Sequence, residues 1–159
     1  ITPHPTIKRT YPEAILNTIP TEYRDRQDHY GLSCYLQSLG KTLKVDHRMT
    51  VFPAHRLFNH GRFNIRNLLR AKEIVRHHVR RLERAMEVIT EGADTPVKVA
   101  EELFPRRKLI GGGFFAAVSE VVSHLELLAD VGDIEVAQDG KITSNRTDRF
   151  HSKIESITT

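Results

Sequence analysis

The chain has one cysteine, no tryptophan and no apolar run long enough to span a bilayer. A single thiol, Cys34, excludes an internal disulfide and cannot build a thiolate zinc site by itself. It reads as a small buried hydrophobe. Metal-ligand spacings are missing as well: there is no H-x-H, no H-x-x-x-H and no H-x-x-E-H. Gly111-Gly112-Gly113 lacks the lysine and hydroxyl residue of a phosphate loop and reads as a flexible turn. Ile1-Thr2-Pro3-His4-Pro5 offers no basic stretch before an apolar core, so a signal peptide is not supported and a cytoplasmic location is expected. The chain does not begin with methionine, so a processed or truncated chain is expected.

What is present suits a globular protein. With 39% hydrophobic and 28% charged residues, 159 residues suffice for one medium domain or two small ones. The net charge of +4 is unevenly spread. Residues 1–63 carry 9 basic and 5 acidic side chains, and 64–94 carry 7 and 5. Residues 95–145 reverse the balance, with 5 and 8. Basicity therefore belongs to the first part and the central helix.

Prolines at 3, 5, 12 and 20 interrupt the first 27 residues. Asp28 is placed to cap a helix reaching about Lys44, with Tyr30, Leu32, Tyr35, Leu36, Leu39 and Leu43 as its apolar stripe. Met49–Pro53 reads as a short strand. Asn64 is a candidate cap for a long helix over Ile65–Thr90, whose other face is rich in arginine. Asp94-Thr95-Pro96 starts a short helix that Pro105 stops. An apolar helix follows over Phe114–Val131. Ile134–Ala137 and Lys141–Thr143, joined through Asp139-Gly140, predict a hairpin. Helix, helix, helix, hairpin is the order of a winged-helix unit. The predicted division is 1–63, a connecting helix over 64–94, a winged-helix-like unit over 95–143 and a polar, frayed tail over 144–159.

Among candidate site residues, His55 stands out because it follows a strand that ends at Pro53, where a fixed backbone can present an imidazole to a metal. His60 shares that loop. His77 and His78 are adjacent, so on a helix they diverge by about 100°. One is expected to pack and the other to meet solvent. His124 lies beside an apolar face and is expected at a core edge. A DNA-reading helix needs donors on its exposed face, whereas Phe114–Val131 has no lysine or arginine and carries Glu120, Glu126 and Asp130. The arginine-rich face of Ile65–Thr90 is a candidate for RNA or another anion.

Four segments together resemble a known family. Tyr35-Leu36-Gln37-Ser38-Leu39, Val51-Phe52-Pro53-Ala54-His55, His77-His78-Val79-Arg80-Arg81-Leu82 and Ala117–Leu128 are similar, in order, to the C-terminal part of metallo-β-lactamase-fold hydrolases with an appended winged helix. The resemblance implies an α+β, mostly helical chain: the last part of an αββα domain followed by a winged-helix-like domain. It implies that His55 is the last metal ligand, holding zinc in an intact parent whose H-x-H-x-D-H cluster is absent here. Where the family reads P-G-H-G this chain reads Pro53-Ala54-His55-Arg56, which adds a cation beside the metals. The parent would hydrolyse an ester, thioester or phosphodiester with metal-bound hydroxide. The chain alone would be inactive, would bind no zinc, and would pack against the rest of the parent or a second copy. The alternative is a nucleic-acid-binding or protein-interaction winged-helix module, with RNA favoured over DNA and no membrane partner.

Overall fold

A computed structural model describes residues 31–45, 48–53 and 57–159. Among the described residues five α-helices carry the fold: α1 (Leu32–Leu43), α2 (Leu69–Thr90), α3 (Pro96–Leu103), α4 (Gly112–Asp130) and α5 (Arg149–Thr158). The described strands form three two-stranded antiparallel ladders. Strand β1 (Thr50–Val51) pairs with β4 (Arg66–Asn67), and β2 (Phe58–Asn59) with β3 (Arg62–Phe63). Strand β5 (Ile134–Val136) pairs with β6 (Ile142–Ser144).

This corrects the αββα expectation. That architecture needs two multi-stranded sheets face to face with helices outside them. The described residues supply two-residue ladders in the first part, too narrow to hide an apolar layer. Helices do the burying instead. One continuous core joins Leu32 and Leu36 of α1, Leu82, Ala85 and Val88 of α2, Val99 and Ala100 of α3, and Val121, Leu125 and Leu128 of α4. Ile134, Ile142, Phe150 and Ile154 complete it.

Local chemistry explains most element ends. Helix α3 begins where Thr95 Oγ1 accepts the Lys98 amide (3.3 Å) and Pro96 fills the first turn. The β5–β6 hairpin closes where the Ala137 amide donates to the Lys141 carbonyl (2.8 Å), with Gly140 at φ 83°. The Ile142 amide also donates to the Asp94 carbonyl (2.9 Å), so the chain before α3 lies along the hairpin, as in a winged helix. Helix α2 starts four residues later than its apolar stripe predicts. The Asn64 amide is engaged by the Leu57 carbonyl (2.7 Å), and Arg66 and Asn67 pair with Val51 and Thr50. The strand pairing takes the backbone that the helix would have used.

The tail is ordered, against expectation. Phe150 and Ile154 are four apart and both buried, and α5 lies on α1. Its cap comes from a distant residue. Asp133, fully buried in the turn after α4, accepts from Thr147 Oγ1 (2.6 Å) and the amides of Arg149 (2.9 Å) and Phe150 (2.9 Å). The α1–α5 crossing is close enough that a Cβ built on Gly40 would lie 2.7 Å from Thr158 Cα. Against the sequence reading, helix α4 is long and apolar enough by length and composition to cross a bilayer, but its second half, from Val121 to Leu128, is mostly buried in this core.

Candidate nucleic-acid interface

A basin of roughly 1030 Å³ opens between α2 and the β1–β4 ladder. Arg66, Arg70 and Arg80 line it with His77, Glu73 and Glu120. Arg70 is paired with Glu73. Glu120 is half-buried and faces Arg81, with 3.3 Å between Arg81 Nη1 and Glu120 Oε1. Arg66 and Arg80 have no acidic partner among the described residues. The wall is therefore net positive. Polar Asn64 and Asn67 also contribute to it.

The rim continues this chemistry. From His47 to Ala71 the sequence has five arginines and no lysine, aspartate or glutamate. Phe52, Phe58 and Phe63 are each more than 60% exposed. Phe58 faces Phe63 across the β2–β3 ladder, their rings edge to face at 5.3 Å. Short ladders place arginines and aromatic rings side by side on an open surface because nothing in the described core covers them.

Below the basin lies a buried imidazole pair. His124 Nδ1 is 2.6 Å from the Glu120 carbonyl oxygen, which only accepts, so Nδ1–H is the donor. His124 Nε2 must then accept, and His78 Nδ1–H donates to it across 3.1 Å. Burial lowers His124 to about 3, its hydrogen bond to Glu120 opposing the shift and the neighbouring His78 reinforcing it. Burial likewise lowers His78 to about 4, helped by His77 and Arg81. Both rings are therefore neutral at pH 7, and the pair is a directional strut between α2 and α4. Tyr35 of α1 meets the His78 ring edge-on at 5.6 Å. Burial and Arg81 also lower His77, which stays exposed at the basin wall.

The adjacency of His77 and His78 thus resolves into one solvent residue and one core residue, as helical geometry requires. His124 is fully buried, deeper than the core edge expected. The acidic face expected on the second long helix is absent, because Glu126 is buried and Glu120 is engaged by Arg81. Arg81 also stacks over Phe104 at 4.4 Å. Spacing could not reveal the His78–His124 contact, which joins helices 46 residues apart.

No family model, no curated protein and no solved structure matches the chain. The resemblance to metallo-β-lactamase-fold hydrolases is corrected accordingly. Among the described residues no group of three or more His, Cys, Asp or Glu side chains could hold a metal, so the zinc-hydrolase reading has no centre to stand on. His55, proposed as the metal ligand, and Arg56 beside it lie outside the described residues. The matching segments have a simpler origin. Leu36, Leu82, Val121, Leu125 and Leu128 are core positions, and a helical bundle demands such apolar spacing without any metal. The mostly helical chain fits a winged-helix-like module better than a hydrolase domain.

Proposed function

We propose that this chain is a winged-helix-like module that binds single-stranded nucleic acid, RNA foremost, on the surface formed by the basin and the ladders at residues 48–70. One observation carries the reading: Arg66 and Arg80, without an acidic partner among the described residues, line the basin, and exposed Phe52, Phe58 and Phe63 belong to the adjoining stretch 47–71, which contains no acidic residue. Arginines neutralise successive phosphates, and phenylalanine rings give unstacked bases a platform. Bases inside a duplex are already stacked, so this surface favours single strands. Helix α4, which would read the major groove in a DNA-binding winged helix, carries no lysine or arginine, and its second half is mostly buried in the core.

The test is fluorescence anisotropy of a labelled single-stranded oligonucleotide at two salt concentrations. Affinity falls steeply with salt, and Arg66→Glu with Arg80→Glu removes most of it. No binding at low salt would sink the proposal. A second reading, docking of a protein partner or a second copy, is favoured by the aliphatic members of the same surface. Met49, Ile65 and Leu69 are each about half exposed. Sedimentation that depends on protein concentration and resists salt would select it.

A further inference from the structure

A second surface lies at the opposite end of α4. Residues 103–119 contain no aspartate or glutamate, yet Arg106, Arg107 and Lys108 follow one another there in a single 3-10 turn. All three are exposed, and none has an ion-pair partner among the described residues. Immediately after them Ile110 and Phe115 are each 75% exposed, the most exposed large apolar side chains described. Between them a Cβ built on Gly111 or Gly112 would meet nothing within 4 Å. The segment is thus a protruding tip with an apolar point and a cationic collar. The Lys108 carbonyl lies 2.5 Å from where a Cβ on Gly113 would fall, so the turn is folded tightly against the start of α4.

We propose that this tip docks on an anionic bilayer, with Ile110 and Phe115 entering the interface and Arg106, Arg107 and Lys108 meeting lipid phosphates. The charge pattern selects the occupant. A convex apolar point gains nothing against the polar surface of a duplex, and a protein would need a matching cavity with an acidic rim. A negatively charged lipid surface accepts both features at once. No membrane span is required, because the contact is peripheral.

The experiment is co-sedimentation of the full chain with vesicles of phosphatidylcholine alone or mixed with phosphatidylserine. The expected result is binding to the mixed vesicles only. Arg106→Glu with Lys108→Glu weakens binding by about tenfold or more, and Ile110→Ser with Phe115→Ser does likewise. These side chains are exposed, so an unchanged circular dichroism melt should accompany both losses. Arg66→Glu with Arg80→Glu, which tests the nucleic-acid surface, leaves vesicle binding intact. Failure to bind mixed vesicles, or equal binding to both kinds, would overturn the proposal. So would a tip that binds duplex DNA through its cations while the Ile110→Ser, Phe115→Ser variant binds vesicles normally.

Discussion

Residues 69–158 and residues 48–68 contain similar proportions of apolar side chains, but they use them in opposite ways. The first region builds a core from its apolar residues, the Ile110–Phe115 tip aside, and satisfies two of its helix starts with named partners: Thr95 for α3 and Asp133 for α5. The second turns Phe52, Phe58, Phe63 and Ile65 toward solvent and supports them on two-residue ladders. Burial makes the first region stable. Exposure makes the second available for contact. Stability and binding should therefore respond to different substitutions.

The largest expected effect concerns the imidazole strut. Its pKa values are depressed relative to the unfolded chain, so unfolding takes up protons as the pH falls. Stability is full above about pH 6.5 and declines as the pH drops toward about 4 and 3. By pH 5 each histidine should cost about 2 kcal/mol. Urea melts at pH 7 and pH 5 measure this, and equal midpoints would refute the neutral pair. Next comes Asp133→Ala, which strands three donors and should cost about 3 kcal/mol, read as a lower thermal midpoint. Gly40→Ala forces a methyl against the α5 backbone and should cost about 2 kcal/mol. A calorimetric midpoint unchanged by that methyl would mean the α1–α5 crossing is looser than described. The smallest effect is Phe63→Ser. It should change stability by less than about 0.5 kcal/mol while reducing oligonucleotide affinity, and a large stability loss would erase the contrast between the two regions.

The same contrast explains what was legible in the sequence. The bodies of helices α1 to α4 and the β5–β6 hairpin follow from spacing, Thr95-Pro96 and Asp139-Gly140, because local signals and burial agree there, although α1 starts at Leu32 after Gly31 and Asp28, read as its cap, lies outside the described residues. The start of α2 did not, since cross-strand pairing of Arg66 and Asn67 overrode an unbroken apolar stripe. Helix α5 was missed because it has only two fully buried anchors and borrows its cap from Asp133, a residue outside its own segment. The family resemblance failed for the complementary reason: apolar helix spacings are shared by many bundles, whereas a metal centre is a spatial grouping. Of the candidate interface, the arginines of α2 were visible as a face. The exposed aromatic rim was not, because an exposed and a buried phenylalanine look alike in sequence.

The seat of α5 on α1 also governs when the protein can fold. Leu32 and Leu36 share a core with Phe150 and Ile154, so the earliest described helix is completed by the last. On the ribosome α1 emerges before the other described helices; α2 and α4 can cover part of its apolar stripe, but the part that seats α5 waits until more than a hundred further residues have been made. Helices α2, α3 and α4 contact one another over shorter separations and can assemble in the meantime. Docking of α5 is thus the last step in assembling the described core. A nascent chain stalled before Phe150 should be open to protease at α1 while its central helices are already protected.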